Sequence, residues 1–435
     1  MKITKRNDLP LIVYAFFLIF SPPILPKVNI LLLMTIFSVC AIVINWNTFY
    51  ERALFSKKVV YSYAIVALYF LIVILLNTFF SSNQFINNSL VIVYKYFILI
   101  PAQYICSIFL IDNVRKNSLT NEYLYTVFVK AGVIQGVLAI ISFVIPSVKE
   151  IFIKIMSNNT GSDIFFQQTV YSSASEFRFF GFSRTLLDTF GFGMGILCIL
   201  ALHLMWNYKR KYIFAIPILL VSIMLNSRSG LLVFLVGTLF YVFFSIKKIT
   251  LKQVVAFFFF TVIIVATLNP LTTLVGKYSP NTLVWIQSGF SNLFSFILRN
   301  EKSSYEVSDV LFSKQFWTFP SKPSEVIFGS GHDVYKTKDI IGIHSDVGYV
   351  NQFWLGGILG SIMLIVFFIF IFINAKNKLV ISSENNVKIL YVLSILFLIM
   401  NVKADLISYN PGTVVTMCIV MNFIFEPVIK KLDIH

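Results

Sequence analysis

Residues 346–374 read DVGYVNQFWLGGILGSIMLIVFFIFIFIN, and after the initial Asp346 this segment contains no charged side chain. A helix needs about 20 predominantly apolar residues to cross the hydrocarbon core of a bilayer. The segment exceeds this length and therefore predicts a membrane-spanning helix. Similar apolar runs recur along the 435 residues, which places the chain among polytopic integral membrane proteins.

The composition excludes a soluble globular protein. Hydrophobic residues make up 57% of the chain and charged residues only 12%, whereas soluble domains carry about 25% charged residues. In a soluble protein the net charge of +16 would suggest a nucleic-acid partner. Here many basic residues fall in the short segments between apolar runs, so we expect a lipid bilayer as the partner and no nucleic acid.

The apolar runs predict an all-α protein with about twelve transmembrane helices in a single membrane domain, residues 1–435. The predicted spans are residues 9–25, 28–46, 59–79, 90–111, 123–145, 188–206, 211–226, 230–246, 252–269, 346–374, 388–402 and 409–427. Basic residues in short loops favour the cytoplasmic side. When both termini are placed in the cytoplasm, the short outer loops contain only Lys27, Arg228 and Lys403 as basic residues.

Two long connections, residues 146–187 and 270–345, fall on the outer side of this topology. Apolar residues recur at helical spacing within 148–155 and 290–297, which predicts short amphipathic helices. These helices either lie in the membrane interface or pack on top of the bundle. We expect the function to reside in the outer half of the membrane and in these two loops, because long structured loops are usually functional.

Outward-facing arginines form the first candidate site, since the guanidinium group matches phosphate oxygens in a bidentate way. Arg178 and Arg184 lie just before the sixth predicted span, Arg228 occupies a tight outer turn, and Arg299 ends an amphipathic run in the large loop. An arginine at membrane level indicates a functional site. The alternative is that each side chain reaches the interface or pairs with a nearby acid.

A glycine-rich motif at the end of the large loop forms the second candidate site. Residues 327–333 read IFGSGHD, and glycine lets a backbone approach a ligand or another chain segment closely. No Lys-Ser/Thr pair follows, so the motif is not a phosphate loop. We assign Gly329, Gly331 and Tyr349 to positioning the loop and the following helix.

His344 and Asp346 lie where the tenth predicted span begins. A neutral histidine there can accept a proton from a sugar hydroxyl, and Asp346 can orient it. Asp346 could equally cap the helix, and His344 could simply form hydrogen bonds in the loop. Both interpretations stay open at this point.

Small-residue pairs indicate close helix packing rather than ligand contact. Such pairs are Gly191 with Gly195 and Gly356 with Gly360. Away from the ends of the spans, charged residues are few and are lysines, Lys95 and Lys130. Acidic residues are expected only at the edges of spans, which argues against a coupled transporter, because such proteins place acids in their core.

In this order and topology, the motifs resemble those of the O-antigen polymerase and O-antigen ligase superfamily of bacterial envelope glycosyltransferases. The resemblance rests on Phe182-Ser-Arg184, Ser227-Arg-Ser-Gly230, Phe328-Gly-Ser-Gly331, His344-Ser-Asp346 and Gly356-Gly-Ile-Leu-Gly360, together with the number of spans and the late large loop. Each motif is short and degenerate. Their order along most of the chain makes the match more specific.

The resemblance implies a GT-C-type glycosyltransferase in the bacterial inner membrane. Its donor and acceptor would be undecaprenyl-diphosphate-linked oligosaccharides of lipopolysaccharide or capsule synthesis, with no cofactor, no nucleotide sugar and no metal. A chain-length regulator protein is an expected partner. Arg184 and Arg228 would bind the diphosphate, and His344 would lie near the acceptor hydroxyl.

Three alternatives remain to a polymerase that extends the glycan on its lipid carrier. One is a ligase that moves finished glycan to lipid A core, although the spacing between His344 and the glycines that follow is slightly long for the ligase pattern. Another is a lipid-linked oligosaccharide flippase, which is expected to show two similar halves and short loops. The third is a structural scaffold.

Overall fold

The computed structural model describes residues 8–24, 29–47, 56–80, 90–117, 120–159, 178–184, 187–245, 316–334, 345–379, 384–403, 405 and 410–425, with a few positions between 273 and 287. Regular structure in these ranges is helical, and no strand occurs in them. The helices are α1 Leu9–Phe20, α2 Ile30–Ile44, α3 Lys57–Phe80, α4 Ile100–Asn117, α5 Asn121–Val144, α6 Pro146–Asn159, α7 Leu187–Asn207, α8 Ala215–Asn226, α9 Arg228–Phe243, α10 Pro323–Phe328, α11 Gly348–Leu379, α12 Glu384–Met400 and α13 Pro411–Ile424. A π-helical segment, Val93–Leu99, runs directly into α4, and a 3₁₀ turn, Arg210–Phe214, precedes α8.

The protein is a helical membrane protein. Within the described ranges, five helices are long and apolar enough to cross a membrane: Lys57–Leu76, Leu90–Asn117, Asn121–Val144, Thr189–Asn207 and Gly348–Leu379. Further apolar helices of 10–17 residues are Leu9–Phe20, Ile30–Ile44, Ser229–Phe243 and Pro411–Ile424. Each predicted span overlaps a helix, except 252–269, which lies outside the described residues. The total of about twelve spans stays a prediction.

The chain divides into two compact units. The first unit comprises Met1–Met34, Asn117–Val310 and Asn410–Val415. The second comprises Thr35–Lys116, Leu311–Tyr409 and Thr416–His435. Helices α1 and α5 to α9 belong to the first unit, whereas α3, α4 and α10 to α12 belong to the second.

Close packing of glycines joins α7 to α9 in the first unit, as the small-residue pattern predicts. A Cβ atom on Gly191 would lie 2.6 Å from Ser227 Oγ, and one on Gly195 would lie 2.8 Å from the carbonyl oxygen of Gly230. Real Cβ atoms do not approach other heavy atoms this closely. The helices therefore meet through their backbones, and the predicted packing role of Gly191 and Gly195 is confirmed.

The same device joins α3 to α11 in the second unit. Cβ atoms on Gly356 and Gly360 would lie 2.8 Å from the Phe70 ring and 2.9 Å from the Tyr69 ring, respectively. Two aromatic side chains of α3 therefore fill the space that the missing side chains leave. This confirms the predicted packing role of this glycine pair.

The first outer loop begins with a helix, as its apolar periodicity predicts. Helix α6 covers Pro146–Asn159, and Ile151 and Ile155 on it are exposed. Proline suits the first turn of a helix because its missing N–H has no partner to lose there. The predicted helix at 290–297 lies outside the described residues.

Candidate functional site

A buried cluster of charged side chains lies inside the second unit. The Nζ atom of Lys95 lies 2.7 Å from Asp405 Oδ2 and 3.1 Å from Asp333 Oδ2. The side chain of Lys95 is 3% exposed, and both carboxylates are 1% exposed. We call Lys95, Asp333 and Asp405 the charged centre. Burying ions away from water is expensive unless they are paired, so their proximity follows from their burial.

This cluster corrects one expectation from the sequence. Acidic residues were expected only at the edges of the spans, but Asp333 and Asp405 are buried against a lysine of a membrane helix. Asp112 is also fully buried within α4, 2.6 Å from Lys116. All three acids lie outside the predicted spans, but hydropathy along the chain does not reveal that such residues are buried, two of them against Lys95. The argument that the spans lack buried acids, and that the protein is therefore not a coupled transporter, is weaker as a result.

Lys95 lies on the π-helical segment Val93–Leu99. A π-helical turn inserts an extra residue into the helical repeat and frequently marks a functional site. Six of its seven residues are aromatic or aliphatic, and Lys95, Tyr96 and Leu99 are buried. The local sequence is therefore apolar on either side of the lysine, which holds the ammonium group inside the unit.

The first turn of α11 supplies the polar neighbours of the charged centre. Asn351 Nδ2 donates a hydrogen bond to Asp405 Oδ2 at 2.8 Å, and Gln352 Nε2 donates one to Asn401 Oδ1 at 3.0 Å. The Tyr349 hydroxyl donates to the carbonyl oxygen of Leu398 at 2.7 Å. These bonds attach the start of α11 to the end of α12. Tyr349 thus has a geometry that suits the positioning role assigned to it.

Helix α11 is broken at Gly357, where the backbone has φ 65° and ψ −169°. The break leaves helix carbonyls without their usual partners. The amides of Ser330 and Gly331 donate to the carbonyl oxygen of Trp354, at 2.9 and 3.1 Å. The Tyr69 hydroxyl donates to the carbonyl oxygen of Gly356 at 2.6 Å. Donors from two other segments therefore bond to the carbonyl oxygens of Trp354 and Gly356 at the break.

The motif at 327–333 is thus a turn that packs on the break in α11. Helix α10 ends at Phe328, and Gly329 and Gly331 follow with φ of 82° and 75°. A Cβ atom on Gly329 would lie 2.6 Å from the amide nitrogens of Gly356 and Gly357. Two amides of this turn bond to protein rather than face open space. This arrangement suits positioning of α11.

His332 continues the turn and is half-buried. Its Nδ1 atom lies 2.9 Å from Ser330 Oγ, and its ring meets the Trp354 ring edge-on. Burial lowers the pKa of His332, although the carboxylate of Glu325 and a hydrogen bond that the ring donates to the backbone of Ser330 raise it in part. The imidazole is therefore neutral at pH 7.

The predicted catalytic segment adjoins the charged centre. The amide of Ser345 donates to the carbonyl oxygen of Val334 at 3.0 Å, which places residues 345 and 346 beside the residue that follows Asp333. The carboxylate of Asp346 lies 3.9 Å from Lys403 Nζ. His344 lies outside the described residues.

Asp346 does not occupy the N-cap position of α11. The carbonyl oxygen of Val347 accepts the first intrahelical hydrogen bond, from the amide of Asn351 at 3.0 Å. The residue whose carbonyl accepts that bond is the N-cap. The capping interpretation of Asp346 is therefore wrong, and its carboxylate faces Lys403 instead.

Arg178 and Arg184 lie at the two ends of a segment without regular secondary structure in the first unit, residues 178–184. Both residues are half-buried. The amide of Arg184 donates to the carbonyl oxygen of Phe20 at 3.1 Å, and the amide of Phe179 donates to that of Leu225 at 3.0 Å. The segment therefore runs from the end of α8 to the end of α1.

Gln135 of α5 holds the middle of this segment, since its Nε2 atom donates to the carbonyl oxygen of Phe180 at 2.6 Å. Gly181 follows with φ 60°, and a Cβ atom there would lie 2.8 Å from Gln135 Nε2. Glycine is required here by both the backbone conformation and the lack of space. The path of residues 178–184 is thus set from α5 as well as from its two ends.

The turn that carries Arg228 lies at the same end of α8. Ser227 is extended, with φ −151° and ψ 122°, and Arg228 is the first residue of α9. The hydroxyls of Ser227 and Ser229 lie 2.7 Å apart. Because the amide of Phe179 bonds to residue 225, Arg178 and Arg228 belong to neighbouring backbone segments. The side chain of Arg228, and all of Arg299, lie outside the described part of the chain.

Among the residues that the structure describes, no group of three or more His, Cys, Asp or Glu side chains could hold a metal ion. No family model matches the chain, and no curated protein matches its sequence. The superfamily resemblance therefore rests on the motifs themselves.

Two members of the charged centre stand out in the sequence, but their proximity does not. Lys95 stands out as a charge in an apolar span, and Asp333 ends the quoted IFGSGHD motif. Asp405 and Asn351 carry no such signal. Their partnership with Lys95 depends on the fold, because 310 positions separate Lys95 from Asp405.

Proposed function

We propose that the protein is a polysaccharide polymerase of the bacterial envelope. It transfers the growing glycan from undecaprenyl diphosphate to the next lipid-linked repeat unit, at the outer face of the inner membrane. The observation that carries the proposal is the charged centre next to the segment of Ser345 and Asp346. Ionisable groups inside a membrane-helix bundle mark substrate or proton pathways.

The reaction needs charge stabilisation and positioning more than covalent participation of the protein. An acceptor hydroxyl oxygen attacks the anomeric carbon, and the bond from that carbon to the diphosphate oxygen breaks. The diphosphate leaves with the electron pair, and arginines preorganised around it stabilise that charge. Arg184 and Arg228, with Arg178 and Arg299, are assigned to this role. His344 or Asp346 accepts the hydroxyl proton.

Two features of the first unit support the arginine assignment. The segment of residues 178–184 is fixed by backbone bonds at both ends and by Gln135 in its middle. The turn at Ser227 begins α9 beside that segment, with its backbone packed on Gly191. Rigid backbones that present guanidinium groups lower the reorganisation needed to bind a charged leaving group.

The product that accumulates after gene deletion distinguishes the polymerase from a ligase. Loss of a polymerase leaves single repeat units, which a ligase still transfers to lipid A. Loss of a ligase leaves long polymer on the lipid carrier. Long carrier-linked polymer in the deletion strain would therefore show that the protein is a ligase and not a polymerase.

The charged centre also favours a second candidate, a lipid-linked oligosaccharide flippase. Coupled transporters place paired acids and bases among their membrane helices, as Lys95, Asp333 and Asp405 are placed here. Deletion of a flippase leaves the repeat unit on the cytoplasmic leaflet. A glycosidase added to spheroplasts would then fail to cleave the lipid-linked unit, whereas it cleaves the unit that accumulates without a polymerase.

A further inference from the structure

Two buried polar atoms beside the charged centre have no hydrogen-bond partner among the described residues. They are the hydroxyl oxygen of Tyr96 and the amide oxygen of Asn351. Both residues are 0% exposed. Buried polar atoms are nearly always hydrogen-bonded, and each exception requires an explanation. A ligand that brings its own donors and acceptors is such an explanation.

Both residues are held firmly where they lie. The Asn351 amide is fixed through Nδ2, which donates to Asp405 Oδ2 at 2.8 Å. The Tyr96 ring stacks on the Phe70 ring, with centroids 3.7 Å apart and planes at 13°. The backbone carbonyl of Tyr96 also accepts a hydrogen bond from the Tyr63 hydroxyl. Neither side chain therefore needs its free polar atom to keep its position.

The location of the two atoms links them to the candidate site. Tyr96 directly follows Lys95 on the π-helical segment, and both residues are buried there. Asn351 touches the same Asp405 carboxylate from α11. Two elements thus place Tyr96 and Asn351 beside members of the charged centre, next to the predicted catalytic segment.

The chemistry of the atoms selects the class of ligand. A diphosphate would meet the carboxylates of Asp333 and Asp405, and an apolar tail would leave both polar atoms unsatisfied. A sugar offers several neutral hydroxyl groups that donate and accept in turn. An amide oxygen accepts from such a hydroxyl, and a tyrosine hydroxyl can act in either direction.

We infer that Tyr96 and Asn351 form a binding subsite for hydroxyl groups of the acceptor sugar. This inference rests on the proposed polymerase function and adds the place where the acceptor is held. Lys95 and Asp405 act as positioning residues, since the ion pair and the bond to Asn351 fix the amide. The sugar ring bound here presents its attacking hydroxyl toward the segment of Ser345 and Asp346.

Entry of a sugar requires α11 and the turn before Asp333 to separate. Each of these two elements contains a glycine with positive φ. Gly357 divides α11 six residues after Asn351, and Gly329 begins the turn that leads to Asp333. Residues that absorb backbone rotation of this kind serve as hinges in binding and release. Opening of the subsite is therefore assigned to Gly357 and Gly329.

The decisive variant is Tyr96→Phe, because it removes only the hydroxyl. Removal of an unsatisfied buried polar atom is neutral or stabilising for the sugar-free protein, so the melting temperature is expected to stay the same or rise. Because the hydroxyl binds sugar, the KM for the lipid-linked repeat unit is expected to increase about tenfold, the effect of losing one hydrogen bond. Tyr61→Phe, an exposed tyrosine on α3, is the matched control and leaves both values unchanged.

A second measurement does not depend on turnover. The repeat-unit oligosaccharide, released from its lipid by mild acid, is expected to raise the melting temperature of the wild type and of Tyr61→Phe, but less that of Tyr96→Phe. Asn351→Leu is expected to behave like Tyr96→Phe in the same assay, with Asn374→Leu at the far end of α11 as its control.

The outcomes separate the subsite from the proposed function. A wild-type protein that builds polymer, with an unchanged KM and thermal shift in Tyr96→Phe, overturns the subsite and leaves the polymerase intact. A lower melting temperature of Tyr96→Phe with unchanged KM also overturns it, because the hydroxyl then has a structural role. A wild-type protein that builds no polymer removes the proposed function and the subsite together.

Discussion

Lys95 Nζ and Asp405 Oδ2 lie 2.7 Å apart inside the second unit, although 310 positions separate the two residues. The pair joins the π-helical segment before α4 to the chain that follows α12. Asn351 donates to the same carboxylate oxygen from the first turn of α11. One buried contact therefore connects three parts of this unit.

Substitution of Lys95 by methionine is expected to destabilise the protein strongly. The change leaves two buried carboxylates without their ammonium partner, and breaking a buried pair in this way costs about 3–5 kcal/mol. The melting temperature in detergent is the measurement. Lys95→Met combined with Asp405→Asn is expected to recover part of the loss, since less uncompensated charge remains buried.

Lys209→Met is the matched control for this prediction. Lys209 Nζ lies 2.8 Å from Glu122 Oε1, and the two side chains are 58% and 22% exposed, so water can take the place of the ammonium group beside the carboxylate. We expect a clearly smaller effect on the melting temperature. Equal losses of melting temperature in the two lysine variants would show that the buried ion pair contributes no more to stability than an exposed one.

Gly357→Ala is expected to destabilise the protein by about 1–3 kcal/mol or more, the cost of an L-residue forced into a disfavoured backbone conformation. The position combines φ 65° with the carbonyl oxygen of Ile327, which occupies the space that a Cβ atom on residue 357 would need. Ile358→Ala, at an exposed neighbour, is the control. If Gly357→Ala matched this control in melting temperature, the break in α11 would not be a required feature.

The sequence was sufficient to predict the helices. In lipid, the backbone N–H and C=O groups of a long apolar segment must bond to one another, and a helix achieves this within the segment. It also predicted close helix packing at Gly191, Gly195, Gly356 and Gly360, since small residues at regular spacing allow helices to approach. The exact ends were less accurate: the span predicted at 90–111 continues as helix to Asn117.

The candidate site was only partly predictable. Gly329 and Gly331 were assigned a positioning role, but a local pattern cannot show that the amides of Ser330 and Gly331 bond to Trp354 at a broken helix. The centre around Lys95 was missed because its acids lie outside the apolar runs and reach the lysine through tertiary folding. Hydropathy assigns such residues to loops, whatever their burial.

The stability of the protein is expected to depend on His332 at mildly acidic pH. Burial lowers the pKa of His332 in the folded protein, whereas an unfolded chain has the ordinary value of about 6.5. The unfolded state therefore binds more protons below that pH, and stability is lost as the pH falls from about 6.5 toward the folded pKa.

Melting temperatures between pH 8 and pH 5 test this expectation. His332→Gln keeps a group that can bond to Ser330 but does not titrate, so the variant is expected to lose less stability over the window. Parallel curves for the wild type and the variant would contradict the link between His332 and the pH dependence.

His344→Ala is expected to reduce turnover by about 10²–10⁴-fold if this histidine accepts the acceptor proton, as general bases usually contribute that much. Asp346→Asn is expected to have a smaller effect, because its role would be to orient the base. Rates of polymer extension at equal protein levels are the measurement. Unchanged turnover of His344→Ala would show that His344 has no catalytic role, and Asp346 would then be the candidate base.

The most direct measurement incubates the purified full-length protein with a lipid-diphosphate-linked repeat unit and separates the products by size. We expect the wild type to give a ladder of polymers. Arg184→Ala and Arg228→Ala are each expected to reduce extension by about 10²–10³-fold, the effect of losing one preorganised charge-stabilising donor. Arg210→Ala, an exposed arginine before α8, is expected to extend normally. No ladder from a folded wild-type protein, or full-length polymer from both arginine variants, would contradict the account.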